Sequence, residues 1–201
     1  MERSDSNCCS FQDGNSEGRF AGIAIGCSNS STASFVNSIH IQRQENCKQS
    51  ERGNGSIPPY LLDPLRNLTG LTISDCDLSI ANTTLFEDLG SELQLLRYLN
   101  FSNSKMQAML PAEGLKKFGN LEILDLSQYA LYGFMPASLF TLPLRFLNLS
   151  GNSFTSPIPF ISKESRFSTS IKECNLGYGC YTINEYIPPA CNSTLIFECA
   201  T

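Results

Sequence analysis

Three lines of this chain repeat one spacing of apolar residues. They are Leu96-Arg-Tyr-Leu99-Asn-Phe101-Ser-Asn-Ser104-Lys-Met106, Leu121-Glu-Ile-Leu124-Asp-Leu126-Ser-Gln-Tyr129-Ala-Leu131 and Leu144-Arg-Phe-Leu147-Asn-Leu149-Ser-Gly-Asn152-Ser-Phe154. Each reads L-x-x-L-x-L-x-x-N-x-L, with Ser104 and Tyr129 standing in two of the asparagine places. A second mark holds the register. Leu99 to Leu110-Pro111, Leu124 to Met135-Pro136 and Leu147 to Ile158-Pro159 are each eleven residues apart. A single line of this kind cannot bury its own apolar face, so the lines must stack as coils, with at least three needed. Each coil then supplies one short strand whose in-pointing Leu, Ile or Phe rest on those of its neighbours. The parallel strands line a concave face, and irregular or short helical segments line the convex one.

The register extends backward. Leu68-Thr-Gly-Leu71-Thr-Ile73-Ser-Asp-Cys76-Asp-Leu78 is another line, with Cys76 in the asparagine column, followed by a helix-like run from Leu85 to Leu96. Val36-Asn-Ser-Ile39-His-Ile41 fits a further strand, with Ile57-Pro58 as its second half. From Ile39 to Ile57 is eighteen residues, so about seven are surplus, and the polar run from Gln42 to Asn54 reads as a surface loop. The predicted fold is an α/β solenoid, a leucine-rich-repeat right-handed superhelix of about four to five repeats with disulfide-stapled caps. The expected division is an N-terminal cap over 1–35, repeats over 36–67, 68–95, 96–120, 121–143 and 144–159, and a Cys-rich cap over 160–201.

A net charge of -5 and a pI near 4.9 argue against nucleic acid or an anionic membrane as partner, since both need clustered Lys and Arg. No apolar run is long enough to span a bilayer, and Met1–Ser6 has no apolar centre of a signal peptide. Nine cysteines crowd toward the two ends, and N-x-S/T sequons stand at Asn29, Asn54, Asn67, Asn82, Asn100, Asn148 and Asn192. Together these predict an extracellular protein, in the cell wall or at the cell surface, with the loop and turn sequons Asn29, Asn54, Asn67, Asn82 and Asn192 as the favoured glycan sites. The C-terminal cysteines Cys174, Cys180, Cys191 and Cys199 lack a C-x2-C pair, so disulfides are favoured over zinc. Four cysteines allow three pairings. Cys76 reads as a buried thiol, and Cys47 is left open between Cys76, Cys8 and no partner.

Cys8-Cys9-Ser-Phe11 before Ile23-Ala-Ile25-Gly-Cys27, and Ile187-Pro188-Pro189-Ala-Cys191 near the end, are similar to the caps of plant-type extracellular leucine-rich-repeat proteins. That group includes receptor-like proteins, receptor-kinase ectodomains and polygalacturonase-inhibitor-like proteins. The resemblance is partial at the caps, where Phe11 replaces a usual Trp and the helix that precedes the Cys-Cys pair is missing. It implies a truncated N-terminus or a fungal or protist relative. It further implies a Cys9–Cys27 bridge with Cys8 unpaired, and Cys174–Cys180 with Cys191–Cys199. The implied role is non-enzymatic recognition of a protein, peptide or cell-wall carbohydrate. The competing readings are an inhibitor of a secreted polysaccharide hydrolase, a structural wall glycoprotein and a cytosolic adaptor with reduced cysteines.

Out-pointing residues follow from the register. One column is Ser38, Gly70, Tyr98, Ile123 and Phe146; the next is His40, Thr72, Asn100, Asp125 and Asn148; the third is Gln42, Ser74, Ser102, Ser127 and Ser150. His40, Thr72, Tyr98, Asn100, Ile123, Asp125, Phe146 and Asn148 form the predicted concave contact set, with Tyr98, Ile123 and Phe146 as an exposed apolar strip. Catalysis has little support: the only histidine is His40, and Asp125 and the Asp75/Asp77 pair are isolated carboxylates. No catalytic residue, metal site or cofactor is predicted.

Overall fold

The structure is a computed structural model of the chain, and it describes residues 23–29, 34–42, 65–75, 84–104, 107–155, 158–177, 179–181, 186–191 and 196–198. Each leucine line becomes a short strand with its middle residue turned inward. The strands are β1 (Ile23–Asn29), β2 (Ser34–Gln42), β3 (Gly70–Ser74), β4 (Tyr98–Asn100), β5 (Ile123–Asp125), β6 (Tyr132–Gly133), β7 (Phe146–Asn148), β8 (Ser153–Phe154) and β9 (Glu173–Asn175). Seven of them make one sheet in the order β1-β2-β3-β4-β5-β7-β9. All neighbours from β2 onward are parallel, and Ile39, Leu71, Leu99, Leu124, Leu147 and Cys174 face one another in turn. β1 departs from this by pairing antiparallel with β2, with an irregularity at Gly26/Cys27.

The core is a stack of these columns. Leu68, Leu96, Leu121 and Leu144 start the lines, and Leu99, Leu124 and Leu147 fill the strand centres; all seven are fully buried. Phe101, Leu126 and Leu149 close each strand from inside. Full burial of one such side chain stabilises by about 1.5–3 kcal/mol, and the columns share that burial among coils. Aromatic rings bridge the coils behind the strands. Phe86 meets Phe101 and Phe118 edge-on at 6.1 and 6.5 Å, and Phe101 stacks on Tyr129 at 6.0 Å.

The convex side carries α1 (Leu85–Glu92), α2 (Ala112–Lys116), a 3-10 turn (Ala137–Thr141) and α3 (Arg166–Ser170). The helix-like run read from Leu85 is α1, which buries Leu85, Phe86 and Leu89 and carries Glu87 and Asp88 in its first turn, where acids suit the helix dipole. A Cβ on Gly90 would sit 2.8 Å from Lys117 Cβ and 3.1 Å from the Gly114 carbonyl, so a missing side chain lets α1 and α2 touch. α2 and the 3-10 turn each begin directly after a proline, Pro111 and Pro136, which ends the preceding extended segment. Beside them β6 and β8 pair in parallel as a second small sheet, just ahead of Met135-Pro136 and Ile158-Pro159.

Asn152 shows why the repeat wants asparagine. Its Oδ1 accepts from the Tyr129 and Leu131 amides (3.2 and 2.9 Å), and its Nδ2 donates to the Leu126 and Leu149 carbonyls (2.8 Å each). One buried side chain therefore satisfies four backbone groups at the bend, three of them on the preceding coil. Ser104 does a smaller version, donating to the Ile73 carbonyl at 2.8 Å. Tyr129 fills the same place with bulk and is fully buried; burial drives its phenol pKa well upward.

Both inferred C-terminal pairings, Cys174–Cys180 and Cys191–Cys199, are corrected. Cys174 is bonded to Cys191, not to Cys180. Cys174 occupies the leucine column behind Leu147, and the 3-10 turn Pro189–Cys191 covers it. Cys180 lies instead on β10 (Gly179–Tyr181), which pairs in parallel with β11 (Ile196–Glu198). The segment read as a cap also contributes α3 and β9 to the stack, so the sheet runs one strand past Pro159. The signal was present in Ile171-Lys-Glu-Cys174-Asn-Leu176, a leucine line with Ile and Cys substituted. Gln42, read as the start of a loop, is instead the last residue of β2; residues 43–54 and Cys9, the inferred partner of Cys27, fall outside the described residues.

Two predictions follow from this packing. Replacing both Cys174 and Cys191 by Ala should lower unfolding free energy by about 3 kcal/mol, the scale for a closed loop of this length; urea denaturation reads it. The Tyr129 phenol is held neutral in the folded state and ionises freely when unfolded, so its contribution is complete below about pH 10 and is lost as pH rises beyond it. Tyr129→Phe should flatten that alkaline loss in a denaturation series from pH 8 to 11.

Candidate functional site

The parallel register places the outward residues in straight rows. Ser38, Gly70, Tyr98, Ile123, Phe146 and Glu173 are successive neighbours, and so are His40, Thr72, Asn100, Asp125, Asn148 and Asn175. Neighbouring strands lie about 4.8 Å apart, so side chains within a row touch. Tyr98, Ile123 and Phe146 are adjacent but half-buried rather than fully exposed, because each leans on the next. With Arg145, Lys172 and Glu173 they line an open recess of about 580 Å³.

The outward side of β3 is closed. Thr72 is only 2 % exposed, and Gly70 and Ser74 beside it are also buried, so Thr72 is removed from the contact set. From β3 onward, the partly open outward residues begin at β4. His40 pairs with Thr72 between β2 and β3.

The second row is tied down by its own turn. Asn100 Oδ1 accepts from the Ser102 amide (2.8 Å), Asp125 Oδ1 from the Ser127 amide (2.9 Å), Asn148 Oδ1 from the Ser150 amide (3.2 Å) and Asn175 Oδ1 from the Gly177 amide (2.9 Å). An Asx turn thus ends each of the four strands. Ser127 and Ser150 also donate their hydroxyls to the same oxygens, at 2.6 and 2.8 Å. Cross-links run along the face: Asn148 Nδ2 donates to Asp125 Oδ2 (3.4 Å), and Asn100 Nδ2 donates to the Tyr98 hydroxyl (3.3 Å).

These bonds bear on the sequons. Asn100 and Asn148 are half-buried and hydrogen-bonded on the sheet, whereas Asn67 is exposed in the turn before β3. Asn54, Asn82 and Asn192 lie outside the described residues.

A row that the sequence reading passed over lies just before the strands. The residue after each line's first Leu or Ile is Arg97, Glu122, Arg145 or Lys172. Arg97 Nε donates to Glu122 Oε1 at 2.9 Å with Nη2 making a second contact, and Arg145 Nη1 lies 3.8 Å from Glu122 Oε2. The signal was one charged residue at one fixed place in each of the last four lines, where the Leu68 line has Thr69. Among the described residues no group of three or more His, Cys, Asp or Glu is placed to hold a metal ion, and no helix is long and apolar enough to cross a membrane.

With this geometry in view, known proteins divide the resemblance into fold and sequence. Residues 143–163 match the family model described as Leucine Rich Repeat. The chain is similar to Receptor-like protein 31 of Arabidopsis thaliana, 34 % identical over 114 residues, which are 56 % of this chain and 13 % of that protein. It therefore spans only a small part of that relative. Among solved structures it resembles pollen receptor kinase 3, with a TM-score of 0.60 and 22 % identity over 86 % of this chain and 77 % of that one. It also resembles the Arabidopsis receptor kinase HAESA, solved in complex with the peptide hormone IDA and the co-receptor SERK1, with a TM-score of 0.51 and 21 % identity over 86 % of this chain and 35 % of that one. The fold is a leucine-rich-repeat solenoid. In sequence the chain is similar to plant receptor-like proteins of this architecture.

The Asx row makes its own prediction. Asp125→Ala removes the acceptor for the Ser127 amide and hydroxyl and should cost about 1–2 kcal/mol in thermal or urea unfolding. Asp125→Asn keeps an Oδ1 acceptor and should cost less than half of that.

Proposed function

We propose that the chain is a non-enzymatic extracellular recognition module that binds a protein or peptide across the concave face from β4 to β9. The observation that carries this is the row Tyr98–Ile123–Phe146. Among the described residues it is the one apolar row on an otherwise polar face, it is partly open to solvent, and it lines the 580 Å³ recess. Apolar and aromatic groups ringed by charge are what protein contacts use at their centres. The HAESA complex supports a peptide as the kind of ligand this architecture takes. Of the predicted contact set, Tyr98, Ile123 and Phe146 would touch ligand, with Asn100, Asp125 and Asn148 as a fixed polar border.

Residence outside the cell, in the wall or at the surface, is supported by the Cys174–Cys191 bridge and by the exposed sequon at Asn67, which we take as the first candidate for a glycan. Segments 1–35 and 160–201 would act as the caps of the repeat array. The inhibitor reading asks for an acidic or aromatic patch that tracks a basic cleft. Here Glu122, Asp125 and Glu173 are interleaved with Arg145 and Lys172, which favours a ligand of mixed charge.

Wild-type secreted protein and a Tyr98→Ala/Phe146→Ala variant should be compared as baits against secreted protein extract and on a glycan array, with circular dichroism confirming that both fold. The expected result is a protein or peptide ligand held at least about tenfold more weakly by the variant, the scale of losing two buried aromatic contacts. Equal capture by both would remove the strip from the account, and capture on the glycan array alone would replace the protein ligand with a carbohydrate.

A further inference from the structure

The charged row before the strands is balanced at one end and unbalanced at the other. Arg145 donates its amide to the Glu122 carbonyl (2.7 Å), and Lys172 donates its amide to the Arg145 carbonyl (2.9 Å), so these residues sit on consecutive rungs. Glu122 is shared between Arg97 and Arg145. Lys172, on the next rung, has Arg145 rather than an acid as its neighbour in this row; Glu173, next in the chain, lies in the outward row beside Phe146, and neither Lys172 nor Arg166 forms an ion pair with another described residue. Like charges on adjacent strands destabilise each other, so the chain retains a small repulsion here that an anion would relieve.

Around these cations the surface is hollow. Arg145, Arg166 and Lys172 line a recess of about 400 Å³ together with Thr169, Ser170 and Asn120. Three cations face it against one carboxylate that is already engaged, in a chain whose net charge is -5. Arg166 is presented by α3, whose start is fixed by Ser165 accepting from the Ser168 amide at 3.1 Å. Two guanidinium forks and an ammonium are suited to the oxygens of a carboxylate, sulfate or phosphate group. Arg145 and Lys172 line this recess and the apolar one alike, so the two are continuous over the rim.

We propose that this rim recess binds an oxyanion group, presented by the same protein or peptide whose apolar side chains cover Tyr98, Ile123 and Phe146. The identity of the carrier rests on the reading given above; the anion site stands on its own geometry. Arg166 and Lys172 are its principal ligands, with Arg145 shared toward Glu122.

The test titrates sodium sulfate, sodium phosphate and sodium acetate separately into the full chain at constant ionic strength set with chloride, following backbone amide shifts. At least one oxyanion should give saturable shifts centred on residues 166–173. Arg166→Gln/Lys172→Gln should weaken that binding about tenfold or more, and each single variant should weaken it partially. Lys116→Gln, an exposed lysine on α2, should leave it unchanged. The preferred ion separates a sulfate- or phosphate-bearing ligand from one recognised by a carboxylate. Shifts that grow linearly with every salt, or that persist in the double variant, overturn the proposal. The Tyr98→Ala/Phe146→Ala variant should keep the anion response. Loss of that response with ligand capture intact in wild type would sink the recess alone, and the reverse would sink the strip alone.

Discussion

The structure depends on the ladder of inward side chains Leu71, Leu99, Leu124, Leu147 and Cys174, each opposite the next on parallel strands. A strand of three residues has almost no stability of its own. It persists here because both flanking coils pack on its central leucine while main-chain bonds hold the register. Such an arrangement is a sum of nearest-neighbour contacts, so its ends are the weak points. At the β9 end the column residue is a cysteine, and the side chain that would have stacked on another coil is bonded to the turn that covers it. β9 also presents exposed Glu173 and Asn175 at the sheet's edge, the kind of polar side chain that discourages further strand pairing.

The same ladder sorts the outward residues by what the backbone needs from them. The strand must turn sharply after its third residue, and an Asx turn does this in four successive coils. Asparagine or aspartate at that place is thereby engaged in the fold. The residue two places earlier, on the same face, carries no such duty. It can be Ser38, Gly70, Tyr98, Ile123, Phe146 or Glu173 without harm to the turn. Variation is cheapest in that column, and there the chain carries the aromatic and aliphatic groups proposed to make contact.

Much of this was legible in the residues. A period-locked apolar pattern translates directly into strand register, so the outward columns could be written down before any coordinates, and α1 was visible as an apolar run of helical length. What stayed hidden had identifiable causes. β9 was missed because Ile171 and Cys174 replace the two leucines, and the cysteine spacing drew attention to bridges rather than to a strand. The Cys174–Cys191 pairing depends on a turn brought back from seventeen residues away, which spacing alone does not encode. Burial of Thr72 could not be read either, since the register shows which way a side chain points but not what lies over it. The sequons at Asn100 and Asn148 show the reverse case. The motif was plain, but its Asn-x-Ser pattern is also what an Asx turn produces when a serine follows two places on.

The charged row at the rim links fold to recognition through simple electrostatics. A regular repeat forces equivalent positions into contact, so any charge placed there meets its counterpart on the next coil. Alternation of sign resolves the conflict, as Glu122 does between Arg97 and Arg145. Where alternation stops, at Arg145 and Lys172, repulsion is screened by water and costs little at an exposed site. A ligand that displaces this water would meet the positive charge in a less polar setting, where attraction is stronger. The apolar strip beside it supplies that setting, since its rings exclude solvent once covered. Under the proposed reading, apolar contact and charge recognition would therefore reinforce each other at the β7–β9 end of the sheet, and a ligand that satisfies both would be held more selectively than either feature alone allows.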